Sequence, residues 1–171
     1  TNRVERERGI TIFSDYASFS WEGGQFFLLD TPGHVDFSGE MERTLSVLDF
    51  AILVVSCVEG IQSHTETLWQ LLKAYQIPTL IFLNKTDRAG ADRTRVFAEL
   101  RKRFSEDLLD FDQGFCESAK EALAERDEAF LEFFLNGIPS DADCLAALQR
   151  LFAARACFPC LSGAALSGDG V

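Results

Sequence analysis

Two short runs of uninterrupted apolar residues constrain the fold of this chain more than any other feature. They cover residues 50–56 and 79–83. A strand that is apolar at every position, rather than at alternate positions, is typical of a parallel sheet whose two faces are both covered. Both runs are therefore predicted to be strands buried on both sides. A helix is predicted between them, because Leu68, Leu72 and Tyr75 share one helical face before Pro78.

Apolar residues at helical spacing predict two more helices, one over residues 41–48 and one over residues 96–104. Ahead of them, residues 10–21 partly alternate between apolar and polar, the segment 22–25 offers a Gly-Gly turn, and residues 25–30 supply a second strand of a hairpin. Alternating strands and helices indicate an α/β fold with a mostly parallel sheet. Because such sheets bind ligands beyond the carboxyl ends of their strands, we expect functional residues directly after each strand.

The negative charge of the chain is concentrated in one segment. Residues 105–143 contain twelve acidic residues against Lys120 and Arg126, and so account for nearly all of the net charge of −11. This excess argues against DNA or other nucleic acid being bound directly by the chain. A helix is predicted around residues 117–136, and residues 105–155 are predicted to form an acidic helical insert in the α/β order.

Several sequence features favour a cytoplasmic protein with no membrane association. No apolar run approaches the ~20 residues that cross a bilayer, and no signal segment opens the chain. An odd number of cysteines, five, suits a reducing compartment. Cys157 and Cys160 form a lone Cys-x-x-Cys pair without the second pair or nearby histidines that a zinc site needs, so we expect both to be buried as small apolar residues.

Polar motifs follow two of the predicted strands. In Asp30-Thr-Pro-Gly-His34, an Asp at a strand end can hold a water of a magnesium shell, and Gly33 lets a backbone N–H approach a terminal phosphate. In Asn84-Lys-Thr-Asp87, the carboxylate can accept two N–H bonds from guanine that adenine does not offer. The first motif therefore predicts a segment that contacts a terminal phosphate, and the second predicts a loop that recognises guanine.

These motifs resemble those of the GTP-binding domain of translational GTPases. The matching segments, in order, are Arg8-Gly-Ile-Thr-Ile12, Asp30-Thr-Pro-Gly-His-Val-Asp-Phe37, Asn84-Lys-Thr-Asp87 and Ser162-Gly-Ala-Ala165. The chain looks most like the tetracycline-resistance ribosomal protection proteins and elongation factor G. The resemblance implies a P-loop NTPase-like α/β fold, GTP/GDP and Mg²⁺ as ligands, the ribosome as partner, and GTP hydrolysis by the parent protein. The alternatives are an elongation factor G-type translocase and a ribosome-docking or nucleotide-binding module that does not hydrolyse GTP.

The resemblance implies metal and phosphate contacts before residue 40. Thr11 coordinates Mg²⁺ in the GTP state, Asp30 holds the metal through water, and the Gly33 N–H meets the γ-phosphate. Thr31 and Pro32 belong to the same nucleotide-binding motif.

The resemblance also assigns the hydrolysis step. His34 corresponds to the catalytic histidine that orients the attacking water once the ribosome places it. Ile10 corresponds to one side of an apolar gate that restrains this histidine. Gly33 is also assigned to the catalytic residues, because its N–H contacts the γ-phosphate. Because positioning and charge stabilisation carry phosphoryl transfer, these parts must assemble correctly.

On the guanine side, the resemblance implies that Asn84, Lys85 and Asp87 read the base and that the Ala165 N–H meets its O6. Ala164 stands where the family usually has serine, and Leu166 replaces a lysine or aromatic residue that would cover the base. Since the contact to O6 comes from the backbone, these differences weaken the loop without abolishing it.

One part of the family pattern is missing. None of the twelve glycines begins the phosphate-loop sequence G-x-x-x-x-G-K-[ST]. In the family this loop and the strand that leads into it, at the centre of the sheet, precede the position of Thr11, and a helix follows the last motif. We therefore expect residues 1–171 to be a partial GTP-binding domain, truncated at both ends and inactive alone. A monomer is expected as well. The basic run over residues 88–103 is predicted to be a solvated helix face, with a ribosome contact as the alternative.

Overall fold

The computed structural model describes residues 15–30, 44–137 and 139–171. The chain divides into two compact units, residues 1–48 and residues 49–171, and each is described by itself. Of the helix predicted over residues 41–48, residues 41–43 lie outside the described residues. In the described part only residues 44 and 45 are helical, and a turn follows them at residues 46–47.

The first unit contains the predicted hairpin. Strands β1 (Asp15–Trp21) and β2 (Gly24–Asp30) pair antiparallel, with Trp21 opposite Gly24. The two turn residues, Glu22 and Gly23, have φ values of 45° and 82°. Positive φ at both central positions is typical of the tight hairpin turns whose twist matches the flanking strands. The predicted hairpin is confirmed, with its first strand starting at Asp15 within the described residues.

The second unit is an α/β structure built on a parallel sheet. Its elements, in chain order, are β3 (Ala51–Ser56), α1 (Ser63–Ala74), β4 (Thr79–Asn84), α2 (Arg93–Arg103), β5 (Leu108–Asp110), α3 (Glu117–Ala124), α4 (Glu128–Asn136), α5 (Asp141–Ala153) and β6 (Phe158–Ser162). The four strands lie in the order β3-β4-β6-β5, and every pair is parallel. The α/β class with a parallel sheet is therefore confirmed.

Burial of the two apolar strands differs from the prediction. On β4, Ile81 and Leu83 are fully buried and the residues of the opposite face are half-buried. On β3, Leu53 is buried, but Ile52 and Val54 are 53% and 56% exposed. The expectation of two covered faces is thus wrong for β3, because among the described residues only the face that carries Leu53 and Val55 is packed.

An aromatic cluster fixes α1 to the sheet and to α2. The Trp69 ring stacks on Phe104 with centroids 5.0 Å apart and meets Phe158 edge-on at 4.8 Å. Such pairs add to the stabilisation that comes from area burial alone. The Trp69 Nε1 atom is buried and has no hydrogen-bond acceptor among the described residues.

The segment predicted as an acidic insert contains a strand as well as helices. Leu108–Asp110 pairs parallel with β6, so this part of residues 105–155 belongs to the sheet. The single helix predicted over residues 117–136 is two helices, α3 and α4. Asp127 separates them, because its carboxylate accepts the Phe130 N–H at 2.9 Å and caps α4. The boundaries of the insert stay a prediction.

Several acidic residues of this segment are structural. Asp107 pairs with Arg126 at 3.3 Å, and Asp127 pairs with Arg150 at 2.9 Å. Helices α3, α4 and α5 bury a common core that includes Leu123 and Phe130. Part of the uneven charge seen in the sequence therefore stabilises helix packing.

Burial of Cys157 and Cys160 agrees with the sequence prediction. All five cysteines are free, and Cys157 and Cys160 are fully buried. Burial raises the pKa of both thiols to about 12. Within residues 15–30, 44–137 and 139–171, no group of three or more His, Cys, Asp or Glu side chains could hold a metal ion, and no helix is long and apolar enough to span a bilayer.

Candidate functional site

A cleft of about 610 Å³ lies at the carboxyl ends of β4 and β6. These strands are direct neighbours in the sheet, so the loops that follow them meet at the same edge. We call residues 84–87 the first loop and residues 163–166 the second loop. The predicted site residues that line the cleft are Asn84, Lys85, Asp87, Ala165 and Leu166.

The Asn84 side chain joins the two loops. Its Oδ1 atom accepts the Lys85 N–H at 2.8 Å and the Ala165 N–H at 3.0 Å. The backbone adds two further links, from the Gly163 N–H to the Leu83 carbonyl at 3.0 Å and from the Thr86 N–H to the Gly163 carbonyl at 3.2 Å. An amide oxygen offers two lone pairs, and here one accepts a bond within the first loop and the other accepts the bond from the second loop.

Lys85 crosses the cleft toward the loop after β3. Its Nζ atom lies 3.4 Å from Glu59 Oε2, and both side chains are about half exposed. An exposed ion pair of this kind stabilises the fold little, so its effect is on the direction of the lysine stem. Lys85 also has a φ of 66°, a left-handed conformation uncommon for a residue with a side chain.

Asp87 presents its carboxylate to the cleft. Its side chain is 44% exposed, and the cation nearest to it is Arg88, with Nε 3.9 Å from Asp87 Oδ2. No hydrogen bond reaches this carboxylate from the described residues. An ionised carboxylate only accepts hydrogen bonds, so its two oxygens can take a pair of N–H donors from a ligand.

Tight packing shapes the second loop. Ala164 is buried and exchanges two backbone hydrogen bonds with Asp169, at 2.8 Å and 3.2 Å. A side chain at Gly163 would overlap the Asp169 carbonyl and come within 3.0 Å of the Phe82 ring, so only glycine fits there. Leu166 is 85% exposed and lines the cleft.

A charged cluster that the sequence did not predict anchors the start of the second loop. Arg93 is only 26% exposed and contacts Asp110 through Nη2 at 2.5 Å and Asp112 through Nε at 2.6 Å. Asp112 accepts the Ser162 N–H at 2.6 Å. For Arg93, the prediction of a solvated helix face is therefore wrong. The signal that could have indicated a partner is the Asp-x-Asp sequence at 110–112, directly after the apolar Leu108-Leu109 pair.

The remaining predicted site residues, other than Ala164, belong to the first unit or lie outside the described residues. Asp30 is the last residue of β2, in the first unit, and it is exposed. The others lie outside the described residues, and they are Ile10, Thr11, Thr31, Pro32, Gly33 and His34. The roles assigned to these residues stay predictions.

Comparison with known proteins identifies the family. The family model for the elongation factor Tu GTP binding domain matches residues 1–171, and the chain belongs to this family. A crystal structure of a Thermus thermophilus protein superimposes with a TM-score of 0.82, covering 95% of this chain and 31% of that chain. At 20% identity, this likeness shows the fold alone.

Named relatives are similar over most or part of the chain. Tetracycline resistance protein TetP of Clostridium perfringens is 40% identical over 98% of this chain, and TetW of Butyrivibrio fibrisolvens is 36% identical over 98%. Elongation factor G 2 of Borreliella burgdorferi is 48% identical over 58% of the chain. The chain spans 29%, 28% and 15% of the lengths of these proteins. The translational GTPase resemblance inferred from the motifs is confirmed.

Proposed function

We propose that the parent protein is a ribosome-dependent GTPase, most like the tetracycline-resistance ribosomal protection proteins. The cleft formed where Asn84 links the first and second loops is the observation that carries this proposal. Two findings support it: the family match over residues 1–171 and the tetracycline resistance proteins that align with 98% of the chain. We propose further that the parent is monomeric and cytoplasmic, without membrane or DNA partners.

In this proposal the cleft binds the guanine base. The Asp87 carboxylate accepts the N1–H and the 2-amino group, and adenine offers neither donor at these positions. The Lys85 stem lies along the base, and the Ala165 N–H donates to O6. Because Asn84 Oδ1 already accepts that N–H at 3.0 Å, O6 becomes the second acceptor of a shared hydrogen bond.

The phosphate side follows from the family motif and from residue chemistry. Thr11 would supply a hard oxygen ligand of the kind that Mg²⁺ prefers, and the exposed Asp30 carboxylate at the end of β2 would hold the metal through a water. Bound Mg²⁺ offsets the negative charge of the phosphates. The Gly33 N–H contacts the γ-phosphate, His34 orients the attacking water, and Ile10 restrains that histidine until the ribosome positions it.

A translocase of the elongation factor G type is the second candidate. The 48% identity to elongation factor G 2 over 58% of the chain favours it. A protection protein and a translocase share a GTP-binding domain, so other domains of the parent decide between them.

The full-length protein tests this proposal through phosphate release from GTP with and without ribosomes. We expect ribosomes to stimulate GTP hydrolysis and to leave ATP untouched. If ribosomes bind the protein without stimulating hydrolysis, the parent is a docking module instead of a GTPase. In vitro translation then separates the two GTPases: a protection protein restores synthesis in the presence of tetracycline, whereas a translocase restores synthesis in a system depleted of elongation factor G.

A further inference from the structure

The second loop has few side chains of its own to hold it. Gly163, Ala164, Ala165 and Leu166 carry no polar side-chain group, so the loop depends on backbone contacts and on the residue before it. That residue is Ser162, the last residue of β6. Besides Asn84 and these backbone bonds, the way in which the chain holds Ser162 therefore contributes to where the Ala165 N–H lies, three residues later.

Asp112 holds Ser162 through both of its hydrogen-bond donors. Asp112 Oδ1 accepts the Ser162 N–H at 2.6 Å, and Asp112 Oδ2 accepts the Ser162 hydroxyl. The two residues are 50 positions apart in the chain. A bidentate contact to an ionised carboxylate is stronger and more directional than a single neutral hydrogen bond.

Arg93 fixes this carboxylate in turn. Its Nε atom lies 2.6 Å from Asp112 Oδ2 and 3.1 Å from the Ser162 hydroxyl, and its Nη2 atom contacts Asp110 at 2.5 Å. Asp110 also accepts the Asp112 N–H at 3.1 Å. The Arg93 guanidinium lies 5.6 Å from the centre of the Phe97 ring, which restricts it from another side.

We propose that Arg93 and Asp112 are positioning residues for guanine recognition, acting through Ser162 to place the Ala165 N–H. We call these three residues the clamp. Arg93 is the first residue of α2 and follows the first loop by six positions. The clamp therefore connects the start of the second loop to α2, the helix that follows the first loop. This inference rests on the proposed function, because it concerns the O6 contact of the same base.

The role of the clamp is tested by the binding of three diphosphates to the full-length protein. GDP carries O6 and the 2-amino group, IDP carries O6 only, and 2-aminopurine riboside diphosphate carries the 2-amino group only. Asp112→Ala is expected to weaken GDP and IDP binding by the same factor, roughly tenfold, the size expected for one hydrogen bond. Binding of the 2-aminopurine nucleotide should change by less than about twofold, since it makes no O6 contact.

Three variants complete the design. Asp112→Asn keeps an oxygen that accepts the Ser162 N–H, so it should recover part of the GDP affinity that Asp112→Ala loses. Arg93→Ala should weaken GDP and IDP binding together, as Asp112→Ala does. Asp107→Ala is the matched control. Asp107 directly precedes β5, whereas Asp112 follows it, and the Asp107 carboxylate pairs with Arg126 and not with Arg93 or Ser162. This variant should leave the affinity for all three nucleotides unchanged.

The outcomes separate the clamp from the proposed function. If the wild-type protein binds GDP and Asp112→Ala binds it equally well, the clamp has no role in recognition. If Asp112→Ala loses all three nucleotides to the same extent, its effect is a general loss of structure and the inference is overturned. If the wild-type protein binds no GDP, the proposed function itself is wrong and the clamp inference falls with it.

Discussion

The Asn84 side chain accepts the Ala165 N–H at 3.0 Å and so joins two loops that are 81 residues apart in the chain. The same oxygen accepts the Lys85 N–H at 2.8 Å. Asn84 therefore fixes the relative position of the two loops that form the cleft, independently of any direct contact it makes with a nucleotide. Its removal should affect both the stability of the domain and the affinity for guanine nucleotides.

Asn84→Ala tests this structural role. The variant loses two hydrogen bonds to backbone N–H groups, so we expect the free energy of unfolding to fall by about 1–3 kcal/mol. GDP affinity should fall by about tenfold or more, because the Ala165 N–H is no longer held. Thermal melting and fluorescent-GDP titration of the full-length protein measure the two effects.

Asn136→Ala is the matched control for that variant. Asn136 is the last residue of α4, and its side chain donates to the Glu132 carbonyl at 2.8 Å on the surface. The control should leave GDP affinity unchanged. Equal GDP affinity for Asn84→Ala and Asn136→Ala would contradict the role given to Asn84.

His34→Ala tests the proposed hydrolysis step. If His34 orients the attacking water, the variant keeps its GTP affinity and loses ribosome-stimulated hydrolysis. His64→Ala is the control, because His64 lies in the first turn of α1 and has no proposed part in the reaction. Single-turnover hydrolysis on ribosomes measures the difference, and a His34→Ala protein with normal turnover would refute the assignment.

The cysteines give a prediction that depends on pH. The Ser118 hydroxyl, 3.2 Å from the sulfur, lowers the pKa of Cys116, and the Ala119 N–H contributes as well. Burial raises the pKa of Cys157 and Cys160 to about 12. A lowered pKa means that thiolate persists as pH falls, so Cys116 should remain reactive at pH values where an ordinary thiol is protonated.

Alkylation of the native protein with iodoacetamide, followed by peptide mass spectrometry, measures this difference. We expect Cys116 to be modified first and its rate to level off at a lower pH than the rate of a free thiol. Cys157 and Cys160 should react only after denaturation. Modification of either buried thiol at the same rate as Cys116 would show that β6 is not packed as described.

Much of the fold and part of the site could be predicted from local sequence signals. The apolar runs at residues 50–56 and 79–83 become the neighbouring parallel strands β3 and β4, as uninterrupted apolar runs predict, although only β4 has both faces buried or half-buried. Asn84–Asp87 follows β4 directly, so the strand prediction also placed the first loop at the edge of the sheet. The hairpin turn was predictable because Gly23, at its second central position, tolerates positive φ.

The clamp could not be predicted, because its contacts are not local. Asp112 and Ser162 are far apart in the sequence, and they meet only because β5 pairs with β6. That strand has three residues, too few for a recognisable periodicity. The partial burial of Arg93 could not be predicted for a related reason. A basic residue in a charged helix is expected to be exposed unless its acidic partners, here Asp110 and Asp112, are known.

Replacing Asp87 with Asn tests the central claim most directly, that this cleft reads guanine. In Asp87→Asn the guanine 2-amino group loses its acceptor, whereas the side-chain amide can donate to the 2-oxo group of xanthine. Competition of GTP and xanthosine triphosphate for the full-length protein measures the change, with Asp107→Asn as control. We predict that the preference for GTP falls by at least about 100-fold and shifts toward xanthosine triphosphate. An Asp87→Asn protein that still prefers GTP as strongly as the control would contradict the account.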